Sequence, residues 1–424
     1  FAALVVDGEA DLAAQPKAWQ DIAANDLAPA FWALVRSQLG YADAEPSLRD
    51  LLVRVLVTDL CRCLDGAPPR QLAHFVLPDR ALAANASVFA ARWRSDLAFF
   101  SSYNVLARAV AQELNLAQLL ASYTAEQLAE CMAFEEVELR VVQDLKQRIV
   151  AGAGANMDVV HGLIARRRDG HWANPLLASA SERTRALTAC YDALTAAADF
   201  FSLKASHAAG FSFADAATAF GQYREYLYRF DQLYRHFHTA ADAVEPSGWA
   251  VLHELRTSIE NVYSGWFVPQ LGAAWAKVVE GDQGLLQRWA IPDVTPQQAF
   301  YEREVQPLYS GGAKRVFVVI SDALRYEVAQ ELVQFTNGKN RFKASLGAML
   351  GVLPSYTALG MAALLPHQTL AYKESANLDV LADSHLVATL EQRNEHLKSV
   401  GGMAIKSEDL MALGKEKGRE LVRD

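Results

Sequence analysis

The chain has 424 residues, 52 % of them hydrophobic and 21 % charged, with a formal net charge of −9; that is apolar content enough for a core in two or three domains and excludes a disordered chain. No apolar run approaches the roughly 20 residues of a membrane span, and no basic segment followed by an apolar stretch marks a leader, so a cytoplasmic protein without a membrane partner is expected. Residues 1–300 hold all of the net charge, 25 Lys and Arg against 34 Asp and Glu, whereas residues 301–424 balance at 15 each, so the first region as a body would repel nucleic acid.

The first residue is Phe1 and not Met, so the start is expected to lie inside a longer chain. Residues 1–290 read as a helical region, divisible into two subdomains. "PSLRDLLVRVLVTDLCRCL" (46–64) spaces its leucines and valines three and four apart after a Pro46–Ser47 start signal, and "SERTRALTACYDALTAAADFF" (181–201) repeats the pattern. Cys61 and Cys63 are too close together for a zinc knuckle, and with Cys131 and Cys190 they read as free thiols. The run Arg166–Arg167–Arg168 reads as a solvated helix face, with phosphate contact as the sharper alternative. In "GQYREYLYRFDQLYRHFH" (221–238), Tyr223, Tyr226, Phe230, Tyr234 and Phe237 share a helical stripe. Interleaved arginines would suit base stacking, but packing between helices is the expected role. His236 and His238 fall on different faces of that helix and make a poor metal pair.

Pro292 and Pro296 break the pattern, and residues 291–313 read as a linker with one short helix. From Lys314 the period changes. A buried strand is expected over 315–321, a helix over 323–336, a second strand over 342–350, a helix starting near Tyr356–Thr357, a third strand over 377–382 and a helix over 386–400. This alternation predicts an α/β domain with a mainly parallel sheet over 314–424, so the fold class is α followed by α/β. The closing "GKEKGRELVRD" reads as a helix that would feed a further strand, leaving the domain incomplete.

Two positions could carry chemistry. Asp322 follows the apolar run Val316–Phe317–Val318–Val319–Ile320, and a carboxylate at the carboxyl end of a parallel strand can hold a divalent cation; helix capping is the bland alternative. Thr357 falls in the first turn of its helix, where a hydroxyl could attack phosphorus while free backbone N–H groups hold the phosphoryl oxygens. Ser355, two residues earlier, is expected to cap that helix. Arg325 could contact a substrate phosphate or form an ordinary ion pair.

"KRVFVVISDALRYEVAQEL" (314–332) and "LGVLPSYTALGMAALLPH" (350–367) closely resemble the PglZ proteins of bacterial BREX phage-defence systems, whose domain is of the alkaline phosphatase superfamily. "PSLRDLLVRVLVTDL", "FEEVELR" and "QAFYEREVQPL" extend the resemblance over nearly the whole chain. The resemblance implies that Asp322 is a metal-ligating aspartate and Thr357 the phosphoryl-accepting nucleophile, with two divalent ions, zinc in type, when the site is complete. It also implies other BREX proteins as partners, docking on the helical region, and a phosphate ester substrate of the nucleotide or nucleic-acid kind. His367, His385 and Asp383 lack the surroundings of the remaining ligands, which are expected after Asp424, so residues 1–424 alone would be inactive.

Three functions follow. The first is a metal-dependent phosphohydrolase or phosphodiesterase of phage defence. The second is a scaffold or regulatory subunit with a vestigial catalytic fold. In the third, Asp322 is itself a phosphoryl acceptor, which asks for a neighbouring acid where Ser321 and Ala323 stand.

Overall fold

Helix formation in the first 250 residues follows the capping and periodicity signals. Ser47 takes the N-cap of helix Leu48–Cys63 and accepts the Asp50 N–H at 3.1 Å; Ser181 does the same for helix Glu182–Ser206 through Thr184, which satisfies N–H groups that the first turn leaves unpaired. Leu51, Leu52, Val53, Val55, Leu56, Val57 and Leu60 are all buried, so Leu48–Cys63 is a core helix and not a surface one. The computed structural model describes residues 1–152, 156–174, 181–282, 284–374 and 378–421. Among them no helix is long and apolar enough to cross a membrane.

The chain divides into two compact units, one of Phe1–Gly210 with Phe230–Pro269 and one of Phe211–Arg229 with Gln270–Asp424. This differs from the expected boundary near residue 290. Ala216, Val278, Leu285 and Ile291 share one apolar cluster with Leu350, so apolar packing joins stretches that the proline signals would separate.

In the first unit the arginine run contains a correction. Arg167 is not solvated: it and Glu138 are both fully buried. Its guanidinium donates to both Glu138 oxygens and to the backbone carbonyls of Leu128, Ala129 and Cys131, the last at 2.9 Å. The Tyr191 hydroxyl donates to the same carboxylate. Arg166 and Arg168 pair with Glu130 and Asp192 nearer the surface. Three consecutive helical residues point about 100° apart, so one of them faces inward. The aromatic stripe packs on other rings, as expected of a core: Phe230 stacks on Phe267 at 4.4 Å and Tyr234 on Tyr263 at 3.9 Å. Residues Tyr223–Leu227 and Tyr263–Phe267 are π-helical turns, which a pattern of fixed period does not anticipate.

In the second unit the expected parallel sheet is largely absent from the described residues. Residues 315–321 join no strand pair, and Phe317, Val318, Val319 and Ile320 are 69, 45, 89 and 47 % exposed. An apolar run prefers a ladder but cannot supply the neighbouring backbone that a ladder needs. The second expected strand shrinks to Met349–Leu350, which pairs in parallel with Thr295–Pro296 from the supposed linker. The third, Val380–Ala382, is the middle of an antiparallel meander with Leu370–Tyr372 and His385–Leu386; the first residue of that expectation, 377, lies outside the described residues. The helices are better placed, at Tyr326–Asn337, Thr357–Ala363 and Leu390–Leu397, the last with a Thr389–Gln392 capping box. Of the closing segment, Gly414–Leu421 is helical and residues 422–424 lie outside the described residues.

Two predictions concern the first unit. Arg167→Ala strands a buried carboxylate and is expected to destabilise the protein by about 3–5 kcal/mol. Arg166→Ala removes only an exposed pair, worth at most about 1 kcal/mol; thermal or urea unfolding of the two variants makes the comparison. The second prediction concerns His171, whose Nε2 meets Asn104 Oδ1 at 2.7 Å. Burial, and then the charge of Arg94, push its imidazole down from 6.5 to about 3. The unfolded chain therefore takes up a proton between these pH values that the native state refuses. The stability linked to His171 is complete above pH 6.5 and is lost as pH falls toward 3. Burial pushes the Glu136 carboxyl the other way, up to about 7, so parent and variant are compared at each pH. The melting-temperature advantage of the parent over His171→Gln is expected to shrink on acidification.

Candidate active site

Strand Met349–Leu350 ends at a loop, 351–356, that turns into helix Thr357–Ala363. Tyr356 is extended, with φ −137° and ψ 154°, and takes the N-cap position without a side-chain cap bond. Ser355 is therefore not the cap. It stands one residue before the N-cap, exposed, outside the position from which a hydroxyl reaches the N–H groups of the first turn. Thr357 becomes the first helical residue, with its side chain exposed.

Asp322 lies on the loop before helix Tyr326–Asn337, and among the described residues the stretch 315–321 just before it joins no strand pair, contrary to its expected seat at a strand end. Its orientation comes from the next residue. Ala323 has φ +59°, a left-handed conformation that costs an L-residue about 1–2 kcal/mol, and its N–H donates to Asp322 Oδ1 at 3.1 Å. The other carboxylate oxygen, Oδ2, accepts the Thr357 hydroxyl at 3.1 Å. The two residues, 35 apart in the chain, thus meet side chain to side chain. Local strain beside a reactive group is a recurring feature of functional sites, and Ala323 gives no sign of it in the sequence.

Arg325 lies near Glu327, its Nε 3.8 Å from the carboxylate. Glu327 is fully buried, while the arginine side chain is 47 % exposed. This pair is not the surface ion pair weighed as the alternative role of Arg325, because its acid is internal. His367 Nδ1 lies 2.7 Å from the Leu365 carbonyl. Asp383 accepts the Gln368 and Thr369 N–H groups at 2.9 and 2.8 Å, and those bonds hold its carboxyl below the usual carboxylate range. Asp322 and Thr357 offer a carboxylate and a hydroxyl oxygen, hard donors suited to a divalent cation. Among the described residues no group of three or more His, Cys, Asp and Glu side chains is placed to hold a metal ion.

The loop before Thr357 and the helix it opens have further anchors that sequence reasoning missed. Trp289 Nε1 donates to the Gly351 carbonyl at 2.6 Å, the Tyr356 hydroxyl donates to the Leu378 carbonyl at 3.2 Å, and Gln297 bonds to the backbone at Val352 in the loop and at Gly360 in the helix after it. No motif flags Trp289 or Gln297, because contacts to backbone atoms leave no residue-type signature at the other end.

The family model of the BREX system PglZ alkaline phosphatase-like domain matches residues 300–424, the segment that carries both Asp322 and Thr357. The chain belongs to the PglZ family. The alkaline phosphatase-like protein BrxZ of Escherichia coli O9:H4 (strain HS) is 36 % identical over 402 residues, 94 % of this chain and 45 % of that protein. The alkaline phosphatase-like protein PglZ of Bacillus cereus (strain H3081.97) is 28 % identical over 409 residues, 96 % of this chain and 45 % of that protein. The chain thus spans about half the length of the curated relatives it matches. No solved structure matches it significantly.

One prediction rests on the geometry at Ala323. Ala323→Gly removes the left-handed strain and adds unfolded-state entropy, for a net gain of about 0.5–1 kcal/mol. Ala323→Val is expected to destabilise, since a β-branched residue fits positive φ poorly. Urea midpoints of the three proteins order them.

Proposed function

We propose that this PglZ protein is a metal-dependent phosphoesterase of a bacterial phage-defence (BREX) system, with Thr357 as its nucleophile. The observation that carries the reading is the 3.1 Å contact of the Thr357 hydroxyl with Asp322: an exposed hydroxyl faces a carboxylate able to orient it. Thr357 Oγ1 would form the bond to phosphorus as the ester oxygen departs, and water would then release the phosphoryl group from the threonine. Arg325, half-exposed beside Glu327, would put positive charge near the phosphoryl oxygens. Asp322 would be one ligand of a divalent ion, zinc by the family resemblance, and such an ion when bound lowers the pKa of the hydroxyl and offsets charge on the leaving oxygen. The substrate would be a phosphate ester of a nucleotide or nucleic acid, and the helical region would dock other BREX proteins. The names of the two relatives, both alkaline phosphatase-like, support this class of reaction.

The test uses the full-length protein with p-nitrophenyl phosphate and bis(p-nitrophenyl) phosphate. Thr357→Ala is expected to lower turnover by at least about 10³-fold, and Thr357→Ser to keep part of it, because an oxygen nucleophile remains. Asp322→Ala should lower both turnover and the bound metal measured by mass spectrometry. Full turnover in Thr357→Ala would sink the proposal and leave the scaffold role.

A further inference from the structure

Gln297 bonds twice to the segment that carries Thr357, once in the loop and once in the helix that follows. Its Oε1 accepts the Val352 N–H at 3.1 Å, and its Nε2 donates to the Gly360 carbonyl at 3.1 Å. Val352 lies five residues before Thr357 and Gly360 three after it, so one planar amide ties the two ends of the segment that carries the hydroxyl. Gln297 is itself held close by. It opens a short 3-10 turn, Gln297–Ala299, immediately after Pro296, whose backbone pairs in parallel with Leu350. Residues 295–297 thus grip the strand before the loop through backbone pairing and the loop itself through a side chain.

The amide suits both contacts, because its acceptor and its donor are fixed in one plane and serve an N–H and a carbonyl together. An ionised glutamate would accept from Val352 but set an oxygen against the Gly360 carbonyl. Leucine would serve neither.

From this we infer that Gln297 is a positioning residue: it sets where Thr357 presents its hydroxyl to Asp322, acting through the loop and touching no reacting atom. The inference rests on the reading of Thr357 as the nucleophile. Displacing a reacting group by about 1 Å can cost about a hundredfold in rate, so loss of the clamp should appear in kcat and not in substrate affinity.

The experiment compares full-length parent, Gln297→Leu, Gln297→Glu and Thr357→Ala proteins on bis(p-nitrophenyl) phosphate, with unfolding curves and bound metal measured for each. Gln297→Leu is expected to lose about tenfold to a hundredfold in kcat with KM within about twofold. Hydrogen exchange at the Val352 amide should accelerate at least about tenfold in Gln297→Leu. In Gln297→Glu, which keeps the acceptor, that amide should stay protected while kcat falls by an intermediate amount. Parental kcat in both Gln297 variants, with Thr357→Ala inactive, would overturn the positioning role while leaving the nucleophile reading in place. An inactive parent, or a fully active Thr357→Ala, would overturn the nucleophile reading and the positioning role with it. Should Gln297→Leu fail to fold, Gln297→Glu decides alone by the same kcat criterion.

Discussion

The hydrogen bond between the Thr357 hydroxyl and the Asp322 carboxylate ties together two stretches of the second unit that are distant in the chain, and it constrains what surrounds it. Neither residue sits in a long regular element that would hold it by itself. Asp322 is aimed by a strained left-handed residue, Ala323. Thr357 is aimed by a loop pinned from Trp289, Gln297 and the backbone pair Thr295–Pro296 with Met349–Leu350. A site assembled from loops needs such outside anchors, since loop backbone has no ladder of its own to keep it in place.

The first unit handles charge differently. Arg167 and Glu138 are sealed away from water, where an ion pair is tolerated only with its remaining donors and acceptors satisfied. Three backbone carbonyls and the Tyr191 hydroxyl meet that demand. These partners come from the 128–131 segment and from helices Glu135–Ala151, Met157–Arg168 and Glu182–Ser206, so one guanidinium specifies how they meet. Apolar packing alone would tolerate several arrangements.

Helices were legible because their signals are local. The Pro46–Ser47 start and the leucine spacing that follows it needed only neighbours within one or two turns. Asp322 and Thr357 were legible as separate residues, each marked by the pattern around it and by the PglZ resemblance. Strand pairing was not legible in the same way. The run at 316–320 reads as a buried strand by composition, yet exposure of Val319 and the lack of a paired neighbour among the described residues depend on backbone that is distant in the chain. Arg167 was misread for a related cause: its two neighbours are solvated as expected, and the turn of the helix sends the middle residue inward.

By itself, then, the sequence determined the mostly helical character of residues 1–290, the helix start at Pro46–Ser47 and the family, and it singled out Asp322 and Thr357. These depend on short-range periodicity, side-chain identity and motif content. Tertiary structure alone decided that Asp322 and Thr357 share a hydrogen bond, that Ala323 bears the strain, that Ser355 caps nothing and that Gln297 spans the segment carrying Thr357. Each of these is a distance or an angle between groups far apart in the chain or set by the path of the backbone, and residue type carries no record of such a distance until the chain has folded.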